Sequence, residues 1–87
     1  MPAFVAFAID NFSKELSNRS NFTKEELSYF VSETVNASSL ILKDEICSSE
    51  ELISKVATKN GITQKGLDYL EKTLPKECYE LINKLGF

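Results

Sequence analysis

The sequence predicts an all-α fold, a single six-helix antiparallel bundle over residues 1–87 with a short third helix. Hydrophobic residues recur at helical spacing along nearly the whole chain, without competing strand-like alternation. Two segments, Thr23-Lys-Glu-Glu26 and Ser48-Ser-Glu-Glu51, have the capping-box pattern that marks the start of a helix. The intervening connections, about two to five residues long, suit antiparallel neighbours in a bundle.

The first three predicted helices occupy the front half of the chain. The first runs over residues 3–17, and its apolar stripe consists of Val5, Ile9, Phe12 and Leu16, widened by Phe4 and Phe7. We expect deep burial at its start, because aromatic side chains widen the stripe there. The second begins after Thr23 and carries Leu27, Phe30, Val31, Thr34 and Val35 on one face. Polar residues over 36–39 predict a break before a third helix of two turns at most.

The last three predicted helices follow the second capping box. The fourth directs Leu52, Ile53, Val56 and Ala57 inward and ends at Asn60-Gly61, where glycine can take the left-handed conformation. Thr63 is expected to cap the fifth, whose stripe consists of Leu67, Leu70 and Leu74. Pro75 is expected to stop the fifth helix and to begin the sixth. The sixth carries Cys78, Leu81, Ile82 and Leu85 and is closed by Gly86.

Composition argues against several classes of function. The net charge is −3, with ten Lys and Arg residues, whereas a nucleic-acid binder needs a basic patch. The apolar opening MPAFVAFAI is too short to span a membrane and lacks the positive flank of a signal peptide, so we expect a cytoplasmic protein. Histidine is absent, and Cys47 and Cys78 have no metal-ligand spacing, so we expect no metal, no cofactor and no enzymatic activity.

Residues 57–81 raise the alternative of a small helix-turn-helix DNA-binding regulator. Ala57, Gly61 and Ile62 fall where such motifs have a small residue, a turn glycine and an apolar anchor. The second helix of this motif, residues 63–73, has no net charge, which argues against phosphate contacts. A further alternative is a small viral or bacterial helical protein that binds and occludes a partner protein.

The six predicted helices resemble the death-fold superfamily, and most closely its death-effector domains. Residues 4–16 resemble the family's first helix, and Thr23-Lys-Glu-Glu-Leu27 resembles the "SEEL" opening of its second. Residues 51–63, running on to 67–70, resemble its fourth helix, "G-L-L" turn and fifth helix. Where the family's sixth helix often has R-x-D-L, this chain has Cys78-Tyr79-Glu80-Leu81. The sister pyrin and caspase-recruitment domains remain alternatives.

The resemblance implies an adaptor module that pairs with like helical domains in apoptotic, inflammatory or innate-immune signalling. The family's charge triad would correspond here to an acidic residue of the second helix, to Glu80, and to Lys76 as a displaced cation. Two tyrosines off the apolar stripes would serve as anchors. The predicted partner-binding residues are therefore Glu25, Glu26, Tyr29, Tyr69, Lys76 and Glu80. The sequence leaves self-association open and does not identify the partner.

Overall fold

A computed structural model of the chain describes residues 1–57 and 61–87. These residues form four helices and no strand: α1 (Pro2–Asn18), α2 (Lys24–Lys43), α3 (Ser49–Val56) and α4 (Ile62–Lys84). The predicted all-α class is confirmed, and the predicted count of six helices is wrong. The chain divides into two compact units, which we call unit 1 (Met1–Cys47) and unit 2 (Ser48–Phe87). The single domain over 1–87 stays a prediction.

Both predicted capping boxes are present. Thr23 Oγ1 accepts a hydrogen bond from the Glu26 backbone N–H at 3.1 Å, and the Thr23 N–H donates to Glu26 Oε1 at 3.1 Å. Ser48 and Glu51 repeat this arrangement at the start of α3, at 3.2 and 3.1 Å. Each box satisfies two backbone groups that the first turn of a helix leaves without a partner. The sequence therefore located the starts of α2 and α3 through local chemistry.

The predicted third helix is the last part of α2, because the polar residues over 36–39 do not break the helix. The Thr34 and Ser39 hydroxyls donate to the carbonyls of Phe30 and Val35, at 3.0 and 2.7 Å. Hydroxyls bonded back to the preceding turn are compatible with a continuous helix. The helix ends at Lys43, and Glu45, two residues further on, takes a positive φ of 56°.

The predicted fifth and sixth helices are one helix, α4, with Pro75 in its interior. Proline cannot donate to the carbonyl four residues earlier, here that of Glu71, but the helix continues on both sides. The helix is capped by Gly61, so the predicted cap at Thr63 is wrong. Gly61 has a φ of −83° and is not left-handed as predicted. Asn60, the other half of the predicted turn, lies outside the described residues.

The packing in unit 1 differs from the predicted stripe of α1, whereas the predicted stripe residues Leu27, Val31 and Val35 of α2 are half-buried. Helices α1 and α2 pack against each other, and Ser13 of α1 is fully buried. Among the predicted stripe residues of α1, Phe12 is 59% exposed, and the aromatic side chains Phe4 and Phe7 are exposed as well. The expected deep burial at the start of α1 is therefore wrong. The face of α1 that contacts α2 is the face that carries Ser13, which is rotated about the helix axis from the predicted stripe.

Hydrophobic burial is low throughout the described part of the chain. No hydrophobic residue in it is classed as buried, and Ser13 is the one buried residue. The half-buried apolar residues are Ile9, Leu27, Val31, Val35, Ile41, Cys47, Leu52, Ala57 and Leu67. Because apolar burial is the main favourable term in folding, a chain with this hydrophobic content has apolar surface left to cover.

Candidate functional site

The main candidate surface is a continuous apolar stripe along α4. Its side chains recur three or four residues apart, which places them on one face of the helix. We call this face the α4 stripe; it consists of Leu67, Leu70, Leu74, Cys78, Leu81 and Leu85. At 1.5 Å per residue, α4 is about 35 Å long, whereas the eight residues of α3 span only about 12 Å. Helix α3 is therefore too short to cover the stripe.

An open cavity of about 520 Å³ lies where α3 and α4 face each other. We call it the α3–α4 groove; its apolar lining consists of Ile53 from α3 and Leu67, Leu70, Leu74, Pro75 and Cys78 from α4. Gln64 and Glu71 supply the polar part of the lining. Gln64 Nε2 donates to Asp68 Oδ1 at 2.9 Å, so its amide is already engaged within α4. The groove is thus a mainly apolar surface with few free polar groups.

The six residues predicted to bind a partner are divided between the two units. Glu25, Glu26 and Tyr29 belong to α2 in unit 1, and Glu26 also closes the capping box of that helix. Tyr29 is 66% exposed, and its ring meets that of Phe30 edge-on with centroids 6.3 Å apart.

The other three predicted residues belong to α4 in unit 2. Tyr69 is 66% exposed, as Tyr29 is. Lys76 Nζ lies 4.0 Å from Glu80 Oε1, a solvent-exposed pair one helical turn apart. Such a pair contributes little to stability, because solvent screens both charges. The two residues therefore pair with each other within α4.

The ionisable groups with clear pKa shifts have local causes. The Ser48 backbone N–H, and then its hydroxyl, stabilise the Glu51 carboxylate and hold its pKa below the ordinary 4.5. In unit 1 Lys24 forms an ion pair with Asp10. Its hydrogen bond to Asp10, and then the opposite charge, raise the pKa of Lys24 above 10.5. These shifts belong to a helix cap and a surface ion pair, so neither points to a reaction centre.

Three further features concern metals, thiols and membranes. Residues 1–57 and 61–87 contain no cluster of acidic or cysteine side chains suited to a metal ion. Cys47 is half-buried and Cys78 is exposed, and both are free thiols. Within the described helices, none is both long and apolar enough to cross a membrane.

Sequence reasoning missed the α3–α4 groove as a site, although the signal was present. The spacing of apolar residues continues from Leu67 to Leu85 across Pro75. Assigning a helix end to the proline divided this stripe between two helices and concealed its length. A stripe far longer than the neighbouring helix indicates apolar surface that this helix leaves uncovered.

The fold and its surface define a class of protein: a small helical domain with extensive uncovered apolar faces. The family model for pyrroline-5-carboxylate reductase dimerisation matches residues 1–84. The chain therefore belongs to the pyrroline-5-carboxylate reductase dimerisation family.

Two relatives agree with this assignment. A pyrroline-5-carboxylate reductase from Methanobrevibacter smithii is 56% identical over 72 residues, which cover 83% of this chain and 29% of that protein. Pyrroline-5-carboxylate reductase 3 from Bacillus subtilis (strain 168) is 28% identical over 83 residues, which cover 95% of this chain and 30% of that protein. The chain spans about three-tenths of the length of these relatives. No solved structure gives a significant match.

The family assignment corrects the interpretation drawn from short motifs. The death-fold resemblance, and with it the adaptor role in apoptotic or innate-immune signalling, is wrong. The two alternatives, a helix-turn-helix regulator and a viral or bacterial occluding protein, are wrong as well. The classification as a non-enzyme is also wrong, because the relatives are named as reductases. Thr23-Lys-Glu-Glu-Leu27 resembled a death-effector motif because it is a capping box, which many unrelated helices share.

Proposed function

We propose that this chain is the self-association domain of a pyrroline-5-carboxylate reductase, and that two copies cover the apolar surfaces that each leaves exposed. The observation that carries the proposal is the burial pattern. Ser13 is the one buried residue in the described part of a chain that is 43% hydrophobic. The match of residues 1–84 to a dimerisation family supports a second copy as the cover. Obligate dimer interfaces resemble a domain core divided between two chains.

The far end of the α4 stripe supplies much of the uncovered surface. Leu81 and Leu85 are 41% and 45% exposed, and Ile82 beside them is exposed as well. Fully burying a side chain of this size contributes about 1.5–3 kcal/mol, so covering the exposed part of each contributes roughly 1 kcal/mol. Several such side chains from each copy together offset the entropic cost of association.

In the complete protein we propose that this domain joins two reductase subunits that act on pyrroline-5-carboxylate. The names of both relatives support that substrate for the whole protein. A single family model that spans both units supports one functional domain over residues 1–87. The cytoplasmic location remains a prediction.

We also retain the six predicted partner-binding residues as a proposal, with the second copy as the partner. Tyr29 and Tyr69 are exposed aromatic side chains of the type enriched at interfaces. The charged members, Glu25, Glu26, Lys76 and Glu80, would then lie at the polar rim of the contact, where charges affect association rate more than affinity.

Sedimentation equilibrium of the 87-residue chain tests the proposal. We expect a mass of about twice the 9.8 kDa of the chain, with dissociation on dilution. Leu81→Lys should weaken association at least tenfold, because it places a charge within the apolar contact.

The matched control is Asn83→Lys, which adds the same charge to the opposite side of α4 and should leave association unchanged. If the parent chain is monomeric at all accessible concentrations, or if the two variants associate equally well, the proposed function is wrong.

A further inference from the structure

We propose that α4 is hinged at Pro75, so that the part of the helix beyond the proline changes direction relative to the part that faces α3. We call residues 62–74 the near segment of α4 and residues 75–84 the far segment. The hinge is a property of the single chain and does not depend on the proposed self-association.

The backbone of α4 is weakest where the two segments join. Residue 75 has no N–H to donate to the carbonyl of Glu71, and the proline ring crowds that carbonyl. The N–H groups of residues 76–78 still reach back to residues 72–74, so the helix continues with one hydrogen bond missing. Sharp bends in helices occur at such positions, whereas an uninterrupted helix curves only gently.

Side-chain bonds strengthen each segment internally without joining the two. In the near segment the Thr73 hydroxyl donates to the Tyr69 carbonyl at 3.1 Å. In the far segment Lys76 Nζ lies 4.0 Å from Glu80 Oε1. Within α4, which the structure describes over its whole length, no ion pair or side-chain hydrogen bond connects one segment to the other. Each segment is therefore held together by itself, and the join at Pro75 has no side-chain support.

The two segments also differ in how much the rest of unit 2 supports them. The near segment contains the half-buried residues Gln64, Leu67 and Thr73 and supplies most of the lining of the α3–α4 groove. Every residue of the far segment is exposed. Packing therefore does not hold the far segment in one direction, and a bend at Pro75 disrupts no buried contact of that segment.

Helix α2 is a matched comparison within the same chain. It has 20 residues, against 23 in α4, and its Thr34 and Ser39 hydroxyls bond back to the preceding turn as the Thr73 hydroxyl does. Helix α2 has no interior proline, and it packs along α1. A difference in bending between α2 and α4 therefore reports either the proline or the missing packing, and Pro75→Ala separates these two causes.

Distances between two nitroxide labels on one helix test the hinge. The full chain carries Cys47→Ser and Cys78→Ser, and the labels are attached at Lys65→Cys and Asn83→Cys, one on each side of Pro75. These exposed positions are 18 residues apart, which is about 27 Å along a straight helix. An excess of unlabelled chain ensures that double electron–electron resonance measures distances within a single copy.

The matched control carries the labels at Glu25→Cys and Lys43→Cys, exposed positions of α2 that are also 18 residues apart. We expect the α4 distance distribution to be roughly twofold broader than that of α2 and to extend to shorter distances, because α4 bends at the proline. Pro75→Ala should narrow the α4 distribution to the width found for α2. Circular dichroism verifies that the labelled chains keep their helix content.

Three results would overturn the hinge. One is an α4 distribution as narrow as that of α2 and unchanged in Pro75→Ala. The second is a short but narrow distance that Pro75→Ala lengthens, which shows a fixed bend. The third is a broad distribution that Pro75→Ala leaves broad, which places the motion elsewhere in α4. A broad distribution that narrows in Pro75→Ala supports the hinge, whatever mass sedimentation gives, so the hinge and the proposed self-association fail separately.

Discussion

Unit 1 and unit 2 combine their helices in opposite ways. In unit 1 two helices of similar length, 17 and 20 residues, pack along each other at the buried Ser13. In unit 2 an eight-residue helix accompanies one of 23 residues, so most of the α4 stripe extends beyond α3. An amphipathic stripe therefore predicts which face of a helix is to be covered, but not whether the same chain covers it.

The C-terminal ends of α2 and α4 share a hydrogen-bond pattern but differ in the residue that takes a positive φ. Both α2 and α4 finish with the same pair of hydrogen bonds, which connects the two residues after the cap back to the last helical turn. In unit 2 the positive φ is taken by Gly86, at 87°, whereas in unit 1 it is taken by Glu45, at 56°. A left-handed conformation costs a non-glycine residue about 1 kcal/mol. Unit 1 therefore carries a backbone strain at Glu45, after the end of α2, whereas glycine at position 86 avoids this strain in unit 2.

The largest expected effect concerns the prolines, one in each unit. Pro75→Ala should raise the free energy of unfolding by up to about 3 kcal/mol, because it restores an N–H donor in the interior of α4. Pro2→Ala is the matched control and should change stability little, because Pro2 lies in the first turn of α1, where no donor is needed. Urea denaturation at fixed protein concentration measures both. A loss of stability in Pro75→Ala would indicate that the fold, or the proposed dimer, depends on the local shape that proline gives α4.

A smaller effect is expected at the α1–α2 contact of unit 1. Ser13→Leu should lower the free energy of unfolding by about 1–3 kcal/mol, because a fully buried site has no space for the added atoms. Ser13→Ala should cause no loss, since the Ser13 hydroxyl has no hydrogen-bond partner in its buried position. Ser32→Leu, on an exposed position of α2, controls for added hydrophobicity. Equal stability of Ser13→Leu and Ser32→Leu would show that the contact at Ser13 is loose.

The sequence was sufficient to predict those features that depend only on residues close together in the chain. The helix starts at Thr23 and Ser48 were predicted because a capping box is complete within four residues. The breaks at residues 36–39 and at Pro75 were wrong. The polar residues over 36–39 are only a weak preference, and the larger cost of proline inside α4 can be offset where the apolar stripe continues on both sides of it. The covered face of α1 could not be predicted, because it depends on the side from which α2 packs against it.

The functional assignment required more than short motifs. Cys78, at the position where the death-effector motif has arginine, was a departure that the resemblance could not explain. The apolar environment of the α4 stripe accounts for it, since cysteine behaves as a small hydrophobic residue and lines the groove beside Leu74. The capping boxes behind the death-effector resemblance are each complete within four residues and are common to many helices, whereas the family match extends over residues 1–84.

The smallest expected effects lie at opposite ends of the pH scale, one in each unit. The pKa of Glu51 is lowered in the folded chain, so its contribution to unit 2 is complete above its ordinary pKa of 4.5 and is lost as the pH falls through the lowered value. The pKa of Lys24 is raised, so its contribution to unit 1 is complete below 10.5 and is lost as the pH rises through the raised value.

Thermal unfolding across both ranges, followed by circular dichroism, should therefore show an acid loss that Glu51→Gln reduces and an alkaline loss that Lys24→Arg reduces. Glutamine keeps a capping oxygen without titrating, and arginine keeps the pair with Asp10 without losing its proton. Added salt should diminish the Lys24 effect, because that pair is exposed, and should leave the short-range hydrogen bonds of the Glu51 cap largely unchanged. Glu51→Gln should not alter the alkaline loss of stability, and Lys24→Arg should not alter the acid loss. If either does, the pH dependence of stability in one unit is coupled to that in the other, and the two units are not independent.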